Sequence, residues 1–145
     1  MRILVGMDDS PHSRAALEFV KRMAWPKGSQ VVVVSAAQPA YTMVDVGGAS
    51  FLQAAVEDNE RQHQELTARI ERELRDAGLT TTAKVTRGDP REVLVEAARE
   101  ERADLLVVGS HGRTGLNKLM MGSVAAHVVA HAPCSVMVVK LPAKP

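Results

Sequence analysis

Three glycines and a serine carry the most specific chemistry in this chain: Gly109, Gly112, Gly122 and Ser123, spaced Gly-x2-Gly-x9-Gly-Ser. They follow the apolar run Leu105-Leu106-Val107-Val108 and precede an apolar-periodic stretch at 124–130. A strand, a glycine loop and a helix in that order let backbone N–H groups close around an anion, because the first N–H groups of a helix lack intrahelical partners. Gly109 allows a sharp turn off the strand end, where positive φ is often needed. Gly112 has no Cβ, so a ligand can approach the main chain there. Ser123 either caps the helix or gives its hydroxyl to a phosphate oxygen. A helix dipole adds about 0.3–1 kcal/mol per favourable charge, whereas micromolar affinity needs about 8 kcal/mol. Phosphate cradling alone falls short. The remainder is left to an apolar slot for a base and to the cations Arg113 and Lys118. His111, between the glycines, either donates to a phosphate or faces solvent.

A second cluster, Asp8-Asp9-Ser10-Pro11, follows the apolar run at 2–7. An acidic pair at the end of a first strand resembles the start of a response-regulator receiver domain, where two carboxylates hold magnesium. That chemistry needs a phosphoacceptor aspartate at the end of the third strand, which here ends Thr86-Arg87-Gly88. A fold-level likeness without the site warrants little. His127 and His131 are four apart on a helix, but no third ligand or HExxH context accompanies them, so no metal site is assigned. The chain contains neither GxxxxGK[ST] nor GxSxG. Phosphoryl transfer needs a positioned water or acceptor besides phosphate-holding groups, and no general base stands beside the loop. No catalytic residue is assigned.

Length and composition exclude several other classes. At 145 residues the chain is one domain able to bury a substantial core. One Trp, one Tyr and two Phe leave few rings for stacking on single-stranded nucleic acid. Eighteen basic against seventeen acidic side chains leave no strong field, so neither nucleic acid nor an anionic membrane is expected as partner. The lone Cys134 cannot form an internal disulfide and reads as a packed thiol in a reducing compartment. No apolar run approaches membrane-spanning length. A cytoplasmic protein is expected.

These residues must be held by alternating strands and helices. Runs at 2–7, 29–36, 81–86, 105–108 and 136–139 read as buried strands. Between them, helices are expected from Pro11 to about Ala24, from 51 to 77, from 90 to 101 and from 124 to 131. Ser10 suits the first N-cap with Pro11 behind it, and the apolar face is read as Ala15, Ala16, Phe19, Val20 and Met23. Val56, Leu66, Ile70 and Leu74 mark the face of the second helix, whose charged side reads as solvated. Asp89, Pro90 and Glu92 read as an N-cap, a first helical residue and the return arm of a capping box. Residues 37–50 fit no periodic template and form a long loop with Gly47-Gly48 as a pivot. The tail LPAKP reads as frayed. Such alternation implies a parallel sheet with right-handed crossovers and helices on both faces.

Gly109-x2-Gly112-x9-Gly122-Ser123 matches without a gap the ATP-binding signature of the universal stress protein family, which this chain therefore resembles. GSHGRTGLNKLMMGS and the downstream HAPCSVMVVK are similar to that family's closing segment; Ser135 departs from it where many members place proline. The resemblance implies a single-domain α/β fold over residues 1–145, a Rossmann-like three-layer sandwich with a five-stranded parallel sheet of order 3-2-1-4-5 and four helices. That order would set Asp8 and Gly109 facing each other across one crevice, where open α/β sheets take their ligands. It implies that Asp8 hydrogen-bonds the nucleotide at its ribose or base, with Met7 as a neighbouring contact. Ala36 would line the adenine slot, where the family often has valine. Val108, Gly109, Gly112, Gly122, Ser123 and Val124 would be the other nucleotide contacts, and Asp9 a solvated turn residue.

The expected ligand is ATP with Mg²⁺ on its phosphates, and the expected role is regulation in a stress response with at most slow hydrolysis. Two other readings stay open: a true ATPase or phosphotransferase on the same fold, and a nucleotide-free homodimeric scaffold. The last strand, Val136 to Val139, would lie at the sheet edge, where the resemblance implies a homodimer.

Overall fold

The computed structural model describes residues 1–38, 48–112 and 120–142, with the backbone alone at 48 and 49. Apolar runs and amphipathic stretches alternate as β1 (Arg2–Gly6), α1 (Pro11–Arg22), β2 (Gln30–Ala37), α2 (Gly48–Asp76), β3 (Thr80–Arg87), α3 (Pro90–Glu100), β4 (Leu105–Gly109), α4 (Ser123–His131) and β5 (Ser135–Val139). All neighbouring strands pair in parallel, in the order β3-β2-β1-β4-β5. Every expected strand and helix is present, with no end moved by more than three residues. The long loop shrinks because α2 begins at 48; residues 39–47 lie outside the described residues, as do 143–145 of the tail.

Why the central strands are unbroken apolar runs is plain from where their side chains go. Ile3, Val5, Val31, Val33, Leu105 and Val107 pack on one face against Leu17 and Val20 of α1 and Leu66, Ile70 and Leu74 of α2. Leu4, Val32, Val34, Leu106 and Val108 pack on the other against Val93, Leu94 and Ala98 of α3 and Ala125 and Val128 of α4. Both faces of the sheet are buried, as parallel sheets require. Each fully buried aliphatic side chain contributes about 1.5–3 kcal/mol.

Two helical faces differ from the sequence reading. In α1 the buried stripe is Ser13, Ala16, Leu17 and Val20, while Ala15 and Phe19 are half-buried and Met23, beyond the helix, is exposed. Ser13 joins the stripe because its hydroxyl is used internally, donating to the Ser10 carbonyl at 3.1 Å. In α2 the stripe begins only at His63, and Val56 is half-buried. The charged side of α2 is also not purely solvated: Glu73 takes Arg14 and Lys21 of α1, each at 2.8 Å. Hydrogen bonding to Lys21 holds the Glu73 carboxyl below its usual range.

The caps position the site. Ser10 caps α1, its Oγ accepting from the Ser13 N–H at 3.1 Å, with Pro11 first in the helix. Asp89 caps α3, accepting from the Arg91 N–H at 2.9 Å. The capping box does not close. Glu92 instead meets His127 Nε2 of α4 at 3.3 Å, which leaves Asp89 to cap alone. The Arg91 guanidinium and N–H hold the Asp89 carboxyl down at about 2, against an ordinary value of 3.8. A folded value depressed this way gives stability that is complete above the unfolded value and is lost as pH falls towards 2. Asp89→Ala should therefore cost about 1 kcal/mol near neutrality. Urea melts at descending pH should show that difference shrinking below the ordinary aspartate value and vanishing near the depressed one.

Candidate functional site

The chain runs outward from β1 into β2 and β3, then returns to lay β4 and β5 on the other side. The carboxyl ends of β1 and β4 therefore diverge into opposite crossovers, and a crevice opens between them. A cavity of about 800 Å³ occupies it, within the range of small-molecule sites. Met7, Asp8, Ala36, Val108, Gly109, His111, Gly112, Gly122, Ser123 and Val124 all line it. Arg113 and Lys118 lie outside the described residues.

Asp8 stands just past β1, and its carboxylate is oriented by the turn it starts. Oδ1 accepts from the Ser10 N–H at 3.0 Å, an Asx-type turn. Asp9 follows at φ +62°, a left-handed conformation that aspartate tolerates. Its own carboxylate faces outward, 3.4 Å from Arg69 Nη2. The other Asp8 oxygen faces the glycine loop: a Cβ on Gly112 would stand 3.0 Å from Asp8 Oδ2. Residues a hundred positions apart in sequence thereby touch.

Gly109 serves a different purpose from the one its position suggested. Its φ is not positive, so the turn does not require it. The requirement is space: a Cβ there would lie 2.5 Å from the carbonyl carbon of His12 and 2.6 Å from its oxygen. The first turn of α1 is laid directly on the strand end.

Ser123 does not cap α4. Gly122 is the N-cap, without a side chain to accept from the first N–H groups, and Ser123 is the first helical residue. The Gly122 N–H goes to the Ser110 carbonyl at 2.8 Å, and the Gly122 carbonyl takes the Ala126 N–H at 2.9 Å. The N–H groups of Ser123 and Val124 have no hydrogen-bond partner among the described residues. An uncapped helix start at a cavity wall is suited to an anion.

His111 is engaged on both ring nitrogens. Nε2 meets the Met120 carbonyl at 2.5 Å and Nδ1 the Ser110 hydroxyl at 3.0 Å. A carbonyl only accepts, so Nε2 carries a proton there. The ring thus braces the two flanks of the loop, and donation to a phosphate would mean leaving Met120. His12 packs against it with ring centroids 4.9 Å apart. Burial lowers the His12 pKa, the His111 charge pushes the same way, and Asp8 opposes them.

The cavity wall also includes side chains that the sequence reading did not assign to the site, among them Gln38, His63, Asp89 and Arg91. Asp89 is both cap and wall. Arg91 Nη2 lies 2.6 Å from Asp89 Oδ2, so the cation at this wall already has a carboxylate partner. His63 is 6 % exposed and Ser35 beside it 0 %. Spacing could have found it, since 63, 66, 67, 70 and 74 form one helical stripe. Among the described residues no group of three or more His, Cys, Asp or Glu could hold a metal ion, and no helix is long and apolar enough to cross a membrane.

The profile of the "Universal stress protein family" matches residues 1–140. "Universal stress protein in QAH/OAS sulfhydrylase 3'region" of Thermus aquaticus is 32% identical over 146 residues, covering 95% of this chain and 97% of its own length. Universal stress protein MJ0577 of Methanocaldococcus jannaschii is 37% identical over 71 residues, 49% of this chain and 44% of its own. A solved structure of MJ0577 is similar throughout, with a TM-score of 0.87 at 26% identity and coverage of 99% and 97%. A universal stress protein solved in complex with cAMP has a TM-score of 0.70 at 26% identity, covering 96% of each chain.

Proposed function

This chain belongs to the universal stress protein family, and we propose that it is an ATP-binding regulatory protein of the stress response, working in the cytoplasm. The observation that carries the reading is the crevice itself, where the Asp8 carboxylate, the glycine backbone and the uncapped start of α4 meet around one cavity. A relative solved with cAMP supports an adenine nucleotide as the ligand class. The residues fit the group: Ala36 and Val34 offer an apolar wall for the base, Asp8 an acceptor for a ribose hydroxyl or base N–H, and Gly112, Gly122, Ser123 and Val124 a phosphate cradle. Val108 and Gly109 line the same crevice, as does Met7 beside Asp8. Magnesium would ride on the phosphates. Hydrolysis is at most slow, and bound nucleotide sets which partner is engaged.

The protein is further proposed to dimerise through β5. Among the described residues this strand pairs only with β4, and Val136 to Val139 are half-buried apolar residues along the sheet edge. An apolar edge invites a second chain.

Saturating ATP tests the reading directly. At about a hundred times the dissociation constant it should stabilise the fold by about 2.7 kcal/mol, a rise of about 5–10 °C in melting temperature for a chain of this size. Sedimentation at micromolar concentration should return a dimer. No shift with millimolar ATP would leave the scaffold reading, and a monomer would remove the edge contact.

A further inference from the structure

The cavity carries an imbalance of charge that its amides do not answer. Two carboxylates line it, Asp8 and Asp89, and Arg91 is the one Lys or Arg that does so among the described residues. A phosphate tail brings further negative charge into the same space. Main-chain N–H groups at a helix start offer hydrogen bonds and partial charge only.

Arg91 is held by one edge. Its Nε lies 3.1 and 3.2 Å from the two Asp89 oxygens, and its Nη2 lies 2.6 Å from Oδ2. A guanidinium has five N–H donors in a fixed fork. Asp89 takes the Nε hydrogen and one on Nη2, and the Nη1 hydrogens have no hydrogen-bond partner among the described residues. The side chain is 48 % exposed, so the pair leaves it open to a ligand. A planar fork can serve a carboxylate on one edge and a phosphate on another, which the point charge of an ammonium does not reproduce.

The packing of α3 on α4 decides which part of a nucleotide this cation would meet. Glu92, next in the chain, lies 3.3 Å from His127 Nε2, and the Asp89 carboxyl is close enough to feel the His127 charge. Val93 and Leu94 share a core with Ala125 and Val128. His127 stands four residues beyond Ser123, about 6 Å along the helix. The first turn of α3 therefore runs beside the first turns of α4, and Asp89, Arg91, Ser123 and Val124 line one cavity. A cation beside an uncapped helix start suits a phosphate better than a base.

We propose that Arg91 binds the phosphate tail of the nucleotide with its unused donors while Asp89 keeps the other edge. This rests on the nucleotide reading above and assigns a residue to its anionic half. Arg91 then separates nucleotides from nucleosides, because adenosine offers it no anion.

The experiment is calorimetric titration of the full chain with ATP and with adenosine at low ionic strength, where exposed charges are least screened. Arg91→Gln should weaken ATP binding about 10-fold and leave adenosine unchanged. Arg99→Gln removes the same charge from the last turn of α3, where Arg99 pairs with Glu96, and should change neither. A protection measurement on the wild type needs no variant to fold. Phenylglyoxal should modify Arg91 in the free protein and in saturating adenosine, and ATP should block it, as read by peptide mass spectrometry. Equal losses of ATP and adenosine in Arg91→Gln, no loss of either, a matching ATP loss in Arg99→Gln, or labelling that ATP does not slow would each overturn the inference while leaving nucleotide binding intact. A wild type that binds neither ligand would instead remove the reading it rests on.

Discussion

Gly109→Ala should lower the melting temperature by about 10 °C, the largest loss of stability from any single methyl group added at the site. The added Cβ would sit 2.5 Å from the His12 carbonyl carbon and 2.6 Å from its oxygen, distances that no rotamer change relieves because the opposing atoms are main chain. Either α1 lifts off the strand end or β4 withdraws from it. Both moves break packing in the core that Val5, Leu17 and Val107 share. Overpacking of this kind costs about 1–3 kcal/mol and sometimes more. Gly28→Ala is the matched control. Gly28 has φ +83° with nothing within 4 Å, so its replacement carries only the left-handed penalty of about 1–2 kcal/mol. Thermal melts of the two variants should rank Gly109→Ala clearly lower, and equal losses would show that space at position 109 is not what matters.

Asp8→Ala should weaken ATP binding by about 10- to 100-fold, the effect expected when a charged hydrogen-bond acceptor is removed from a ligand. The carboxylate is split between two tasks. Oδ1 holds the Ser10 N–H at 3.0 Å and Oδ2 faces Gly112 across the crevice. Asp8→Asn keeps the acceptor that orders the turn and removes the charge, so its unliganded melting temperature should stay near that of the wild type. If Asp8→Asn binds ATP as well as the wild type, the carboxylate matters for the turn alone. Gly112→Ala approaches the same point from the other side, since its methyl would crowd Oδ2 at 3.0 Å. It should reproduce the loss without touching an acidic group. Titration calorimetry on the three variants separates these outcomes.

The alternation of strands and helices was legible because each signal is local: an apolar run for a strand buried on both faces, a Ser-Pro or Asp-Pro pair for a helix start. The sheet order was not local; it came from the glycine spacing through family likeness, and the pairing of β1 with both β2 and β4 agrees with it. Ten expected site residues line one cavity because strand order, rather than chain distance, decides what lies next to Asp8. What the chain did not disclose were choices between two tasks open to one residue type. Gly109 could serve a turn or a close approach, and only the position of α1 decides for the approach. Ser123 could cap or merely follow a cap, and Gly122 took the capping position. Glu92 could reach back to Asp89 or across to His127, and the packing of α3 on α4 settled it. His63 was hidden for another reason. A histidine amid Asn59, Glu60, Arg61 and Gln62 looks solvated until the stripe through Leu66 and Ile70 is extended backwards by one turn.

The contact between Gly109 and His12 is one-sided in a way that bears on how this chain can drift under mutation. The three atoms nearest a Cβ added at Gly109 are the carbonyl carbon, oxygen and Cβ of residue 12, atoms shared by every residue with a Cβ. No exchange of the histidine ring makes room for a larger residue at 109, while position 12 stays free to vary without disturbing its partner. In a saturation library screened for folded protein, the first site should admit a single amino acid and the second many.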